Sequence, residues 1–390
     1  MSVTAPEGFV AAGLACGIKA SGAADLSLVA TEDAALVSAA GVFTSNLAAA
    51  APVRLSRAHL GATGGRAAAV LVSSGNANAA TGARGRADAE RMCDLVGEGL
   101  GVSPTGVLIC QTGLIGIPLP MTPIESGIPA LVAARAPGRA AAEQAATAIM
   151  TTDLVRKEVV VDGGGFTVGG MAKGAAMLAP HMATMLAVLT TDAAVDPSGL
   201  KKALVRAVDG TFNRLTIDGC TSTNDTVLVL ASGRAGPPRD AQALSDALAE
   251  ACAALAGAMA ADAEGASRVV HVIVTGAVSD DAAHRAARKV ADSNLVKCSI
   301  NGEDPYWGRV VSELGSAGIA FDMELVEVAY GETVVCRAGV AVDHDAAAVR
   351  AHMAGPNVEL RCDLGLGQGR AAVLTADLGH GYIDENRTTS

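Results

Sequence analysis

Thr184 stands at the head of an apolar run, behind residues of the kind that self-cleavage requires. The stretch from Lys173 to Asp192 reads KGAAMLAPHMATMLAVLTTD, with Met182-Ala183-Thr184-Met185 at its centre. A loop of small residues broken by Pro180 leads into the threonine, and Met185 to Leu189 is apolar. The Thr184 hydroxyl in such a setting attacks the carbonyl of Ala183 and turns the peptide into an ester. Water then releases a new N-terminal Thr184, whose free α-amine takes the proton from its own hydroxyl. The same residues also fit a buried strand whose threonine packs like valine, and this stretch alone leaves both readings open. His181 is a candidate base or an ordinary loop residue.

Other polar groups punctuate the apolar sequence. Gln111-Thr112-Gly113 follows the apolar run Gly106 to Cys110. A Thr-Gly pair at a strand end presents a hydroxyl and an unhindered backbone N–H at one point. That suits an oxyanion hole, and it also suits a plain glycine turn. Ser73-Ser74-Gly75-Asn76-Ala77-Asn78 reads as a turn whose exposed amides could serve a site. Thr151-Thr152-Asp153 closes an alanine-rich helical stretch, and Asp218 to Thr226 is a second polar cluster ahead of an apolar strand.

Apolar spacing supplies the elements that must carry these groups. Strands are expected over 26–31, 35–42, 67–72, 106–110, 227–230 and 269–275, with further alternation over 324–330, 333–340, 358–362 and 371–374. Helical spacing runs over 84–100, 139–150, 198–208, 240–261 and 280–290. Lys157 to Val168 alternates about Asp162-Gly-Gly-Gly165, a hairpin whose return strand delivers Lys173. Strands and helices mix without strict alternation, so the expected class is α/β of the α+β kind, in layers.

Composition narrows the partners. Half of the 390 residues are apolar but only 2% are aromatic, so the core must be built from small aliphatic side chains and closely packed backbones. The length alone allows two to three domains. A net charge of −11 argues against a nucleic acid, since phosphate binding needs a basic face, and leaves a small metabolite as the expected partner. The eight cysteines are scattered, with no C-x-x-C pair and no histidine at metal-ligand spacing, so no metal site is expected. MSVTAPEGFV has neither a basic nor an apolar leader region, and apolar runs break short of the ~18 residues of a membrane helix. The expectation is a cytoplasmic protein with reduced thiols and no membrane partner. No phosphate loop, H-E-x-x-H or G-x-S-x-G occurs, and Gly365, Gly367 and Gly369 have the wrong spacing for a dinucleotide loop.

Taken together, the motifs resemble those of the ornithine acetyltransferase (glutamate N-acetyltransferase) family over nearly the whole chain. The resemblance rests on Lys173-Gly174, Met177-Leu178-Ala179-Pro180, Met182-Ala183-Thr184-Met185-Leu186 and Thr191-Asp192-Ala193. It extends to Ser74-Gly75-Asn76-Ala77-Asn78-Ala79, Thr112-Gly113, Ile149-Met150-Thr151-Thr152-Asp153, Ser222-Thr223-Asn224-Asp225-Thr226, Asp262-Ala263-Glu264-Gly265 and Asp304-Pro305 with Trp307-Gly308-Arg309, in the family's order. The chain departs from the family pattern at Ala176, at Tyr306 and after Asn386.

The resemblance implies a layered sandwich of mixed sheets between helices, of the N-terminal-nucleophile kind. It implies cleavage between Ala183 and Thr184 into an α chain, 1–183, and a β chain, 184–390, which assemble as an α2β2 heterotetramer in the cytoplasm. Thr184 is then the nucleophile and Thr112 with Gly113 the oxyanion hole. Thr151, Lys173, Thr184, Glu264, Asn386 and a C-terminal residue, here Ser390, are the implied substrate-binding positions. The implied reaction moves acetyl from N2-acetyl-L-ornithine to L-glutamate without a cofactor, with acetyl-CoA as a possible co-substrate. A hydrolase that gives the acyl group to water, and a folded but uncut non-enzyme, are the alternatives.

Overall fold

The computed structural model describes residues 2–177 and 185–387. They fall into two compact units, one built from Met1–Asn213 with Thr221–Met259 and the other from Arg214–Cys220 with Ala260–Thr389.

In the first unit a four-stranded sheet runs in the order Phe9–Leu14, Leu26–Thr31, Ala69–Asn76, Val107–Leu114, with only the last pair parallel. A six-stranded sheet runs in the order Arg66–Ala67, Val37–Phe43, Thr226–Gly236, Leu186–Ala193, Thr167–Lys173, Lys157–Asp162. Only Thr226–Gly236 and Leu186–Ala193 are parallel there. Strand alternation sorts the side chains onto two faces. Phe9, Ala11, Val70, Val72 and Leu108 of the first sheet share one core with Met171, Leu186, Val188 and Leu228 of the second. Val10, Ala12, Leu26, Leu71 and Ile109 point the other way, against Met92 and Val96 of the helix Gly82–Leu100 and Ile124 and Leu131 of the helix Met121–Ala134. Each valine, leucine, isoleucine, phenylalanine or methionine among them contributes roughly 1.5–3 kcal/mol by its removal from water. Gly170 has no side chain, which leaves room for Leu189 of the adjacent strand, whose Cδ2 would stand 2.6 Å from a Cβ there, and Leu255 of the helix Ala241–Ala261 lies beside the same position. The unit is a sandwich of two mixed sheets between helices, as the motifs imply.

The second unit carries one sheet in the order Val340–Ala341, Thr333–Arg337, Glu327–Tyr330, Asn357–Asp363, Val269–Ala277, Gly369–Ala376. Val270, Val272, Val274, Val328 and Leu360 pack one face of it against Ala283, Ala287 and Val290 of the helix Asp280–Ala291.

Several elements differ from the sequence reading. The strand expected over 67–72 continues to Asn76, and that over 106–110 continues to Leu114, because each supplies the other's hydrogen-bond partners. The polar run Ser73–Asn76 is therefore strand, and the chain leaves the sheet only at Ala77. The helices Ala51–Ala62, Met121–Ala134, Asn294–Asn301 and Ala346–Met353 have no counterpart in the spacing analysis. The helix Ala241–Ala261 is long and apolar enough to cross a membrane, contrary to the expectation that apolar runs break earlier. Its length comes from alanine, and its burial is one-sided: Leu244, Leu248, Ala251, Leu255 and Met259 face the core, while Asp246 and Glu250 are exposed. That is the periodicity of a core helix.

Candidate active site

Thr112 and Gly113 lie side by side near the end of the strand Val107–Leu114, opposite Ser74 and Gly75. Gly113 has φ 127°, and a Cβ there would stand 2.2 Å from the carbonyl carbon of Gly75, so both the conformation and the space demand glycine. Thr112 is buried, and its hydroxyl makes no hydrogen bond among the described residues. The backbone around the pair is pinned from three sides. Gln111 donates through Nε2 to Ser73 Oγ (3.0 Å) and accepts at Oε1 from Asn78 Nδ2 (2.9 Å). Asn224 Nδ2 donates to the carbonyls of Gln111 (2.8 Å) and Ala77 (2.6 Å). The second polar cluster of the sequence thus braces the first.

Thr151 and Lys173 meet at a carboxylate that the sequence analysis did not assign. Asp153 Oδ2 accepts from the Thr151 N–H (2.9 Å) and stands 4.0 Å from Lys173 Nζ. Its Oδ1 accepts from Lys157 Nζ (2.7 Å) and from the Gly174 N–H (2.7 Å). Burial by itself raises the Asp153 pKa. The charges of Lys173 and Lys157 and the hydrogen bonds outweigh it, and the net value falls to about 2. Asp153 is therefore ionised and holds both ends of the hairpin that leads toward Thr184. Lys173 itself is almost wholly buried.

Ala183, Thr184 and His181 lie outside the described residues, as does Ser390. The residue after the threonine is well anchored. Met185 donates its N–H to Asp225 Oδ1 (3.0 Å), and its carbonyl accepts from the Thr226 N–H (3.1 Å). Leu186 then pairs with Lys173 on one side and with Thr226 on the other. Asp225 is fully buried, and Oδ2 has no hydrogen-bond partner among the described residues. Burial pushes its pKa well above the usual carboxylate value, against the pull of the Met185 N–H, the Ser222 hydroxyl and the Lys173 charge.

In the second unit Glu264 and Asn386 are in contact, with Asn386 Nδ2 donating to Glu264 Oε2 (2.8 Å). Gly265, with φ 63°, allows the helix His380–Glu385 to pass, since a Cβ there would lie 2.0 Å from the Tyr382 nitrogen. The Tyr382 hydroxyl reaches Asp218 Oδ2 at 3.5 Å. Burial and the charges of Asp218 and Glu264 raise the Tyr382 pKa to about 12. None of the eight cysteines is in a disulfide, and among the described residues no three His, Cys, Asp or Glu side chains come together as a metal site.

A model of the ArgJ family matches residues 10–388. The chain belongs to the ArgJ family. It is 49% identical to the arginine biosynthesis bifunctional protein ArgJ of Mycolicibacterium paratuberculosis, over 100% of this chain and 96% of that protein. It is 45% identical to the protein of the same name from Streptomyces coelicolor, over the full length of both. A solved structure of ornithine acetyltransferase complexed with ornithine, from Mycobacterium tuberculosis, is 46% identical and covers 46% of this chain and 94% of that one, with a TM-score of 0.44. Membership in the ArgJ family bears out the resemblance drawn from the motifs.

Of the residues that this resemblance implies, Thr112, Gly113, Thr151 and Lys173 belong to the first unit, and Glu264 and Asn386 to the second. Thr151 and Lys173 share Asp153, and Glu264 and Asn386 are hydrogen-bonded. Asp153, Asp225 and Asn224 were within quoted motifs but carried no role in the sequence reading. A carboxylate at the mouth of an apolar strand, as at Asp225, is the signal that would have singled it out. The departure at Tyr306 is a surface matter, since that ring is exposed and lies against the Arg309 guanidinium.

Proposed function

We propose that this chain transfers the acetyl group of N2-acetyl-L-ornithine to L-glutamate by way of an acetyl ester on Thr184. The observation that carries the reading is the local arrangement in the first unit. The Lys173–Asp153–Thr151 group holds the chain that enters the Thr184 segment, Met185 anchors the chain that leaves it, and Asn224, next to the Asp225 that holds Met185, braces the strand carrying Thr112–Gly113.

Cleavage between Ala183 and Thr184 consumes one water and frees the Thr184 α-amine. The hydroxyl then attacks the acetyl carbonyl and gives its proton to that amine. Negative charge on the carbonyl oxygen is met by the Thr112 hydroxyl and the Gly113 N–H, each contributing roughly 3 kcal/mol. Collapse breaks the amide, and the ornithine nitrogen leaves with the proton. The amine of L-glutamate attacks the ester by the reverse sequence, giving N-acetyl-L-glutamate and free Thr184. Lys173 holds the carboxylate common to both substrates, and Thr151 and Ser390 complete the binding positions. Glu264, with Asn386 on its carboxylate, attracts the ornithine side-chain ammonium. Because Thr167–Lys173 and Leu186–Ala193 pair in one sheet, chains 1–183 and 184–390 would remain interleaved after the cut. An α2β2 assembly in the cytoplasm, and acetyl-CoA as a second acetyl donor, belong to the same proposal.

A denaturing gel tests the covalent step: wild type should run as two bands of similar size, and Thr184→Ala as one band near 38.7 kDa without activity. Ornithine release with and without glutamate tests the transfer. Release that is as fast without glutamate as with it would identify a hydrolase. Acetylation of glutamate by acetyl-CoA tests the second donor.

A further inference from the structure

Lys19 lies beside both parts of the first-unit site. Its stem crosses Gly75, where a Cβ would come within 2.8 Å of Lys19 Cγ. Gly75 is the residue paired with Gly113. The Lys19 ammonium donates to the carbonyl of Met150 (2.7 Å) and to that of Ala24 (2.7 Å). The peptide that joins Met150 to Thr151 therefore takes Lys19 on its carbonyl, while its N–H meets Asp153 Oδ2, the oxygen nearest Lys173. One peptide unit separates the two lysines' partners.

The loop that carries Lys19 is built for this placement. The buried Asp25 carboxylate accepts four consecutive backbone N–H groups, from Cys16 (2.7 Å), Gly17 (3.1 Å), Ile18 (2.7 Å) and Lys19 (3.1 Å). Four such bonds to one ionised group fix the loop firmly. They also occupy the nearest carboxylate with backbone, so that among the described residues the Lys19 ammonium touches carbonyl oxygens and no carboxylate. Burial lowers its pKa, and the nearby Lys173 charge adds to that, while Asp25 and Asp153 oppose it. A half-buried ammonium held by two neutral acceptors retains its third N–H for an anion.

The two substrates proposed above differ at one end. Both carry an α-carboxylate, but the donor's side chain ends in an ammonium and the acceptor's in a second carboxylate. Lys173 serves the shared group. We infer that Lys19 is a specificity residue for the acceptor, binding the second carboxylate of a dicarboxylic amino acid. The inference rests on the acetyl-transfer reading and adds to it the means by which the acetyl-enzyme prefers an acidic acceptor. An ammonium is suited to this because a side-chain amide of the same shape offers it no charge.

The test compares L-glutamate with L-glutamine as acceptors, with N2-acetyl-L-ornithine as donor, in wild type, Lys19→Met and Lys19→Arg. Wild type should prefer glutamate. Lys19→Met should lower the glutamate-to-glutamine ratio of kcat/KM at least tenfold, through KM for glutamate, while ornithine release in the first half-reaction changes less than about twofold. Lys19→Arg should restore most of the ratio. A folded Lys19→Met enzyme that keeps the wild-type ratio overturns the inference, as does a variant that slows both half-reactions equally, the mark of a loop support. If Lys19→Met does not fold, inhibition of wild type by glutarate and by its monoamide decides. Glutarate should inhibit at least tenfold more strongly, and equal inhibition overturns the inference. A wild type that transfers nothing defeats the underlying reaction instead.

Discussion

Replacing Asp153 by asparagine keeps the shape of the side chain and removes its charge, at a point where two buried ammoniums and two backbone N–H groups converge. The carboxyl titrates at about 2 in the folded protein against 3.8 ordinarily. At ~1.36 kcal/mol per pKa unit, the charged form contributes about 2.5 kcal/mol to stability at neutral pH. Asparagine has one acceptor oxygen, whereas both carboxylate oxygens are used, so one N–H also loses its partner at a cost of about 1 kcal/mol. Asp153→Asn should therefore destabilise the protein by about 3–4 kcal/mol at pH 7. The folded pKa is depressed, so this stability is present above the unfolded value and is lost as pH falls through the folded one. By pH 3 about half of the electrostatic part should be gone, narrowing the gap between wild type and variant by about 1 kcal/mol. Urea unfolding midpoints of both proteins at pH 7 and pH 3 measure this. A gap below 1 kcal/mol at pH 7, or an equal gap at both pH values, would refute the ion-cluster account.

Thr112→Val keeps the buried shape and removes the hydroxyl. It should lower kcat by about 10²–10³ with little change in KM, and an unchanged kcat would remove Thr112 from the oxyanion hole. Asp225→Asn should cost less than about 1 kcal/mol, because the amide keeps an acceptor oxygen for the Met185 N–H. Asp225→Leu strands the buried Met185 N–H and should cost roughly 1–3 kcal/mol, and equal damage from both variants would show that this hydrogen bond is not what Asp225 contributes. Tyr330 is wholly buried, and its hydroxyl has no partner among the described residues, so Tyr330→Phe should raise the melting temperature or leave it unchanged. A loss above about 1 kcal/mol would reveal a bond to that hydroxyl.

The chemistry-bearing groups were legible in the sequence because they interrupt apolar runs with residues that have no packing purpose. Thr112-Gly113, Thr151 to Asp153 and Ser222 to Thr226 all stood out in this way. The strand and helix periods were legible for the same reason, since apolar side chains recur at intervals that geometry fixes. The ends of elements were less so. Ser73 to Asn76 reads as a turn by composition, yet the parallel strand Val107–Leu114 makes it a strand, and the sequence of either segment carries no record of the other. The helix Met121–Ala134 has a proline within it, and local propensity opposes what packing of Ile124, Ile128 and Leu131 supports.

Sequence alone determined the reaction class, through the order and identity of motifs that run the length of the chain. It determined the layered mixed fold as well. Only the tertiary structure decided which charges meet. Lys19, Asp153 and Lys173 are far apart in the chain, and nothing in their local spacing pairs them. Asp153 lies below its ordinary pKa and Asp225 above, although both are buried carboxylates, because ammoniums converge on the first while burial outweighs the hydrogen bonds and the Lys173 charge at the second. Electrostatic energy depends on distance through space and on removal from water, and both are properties of the fold.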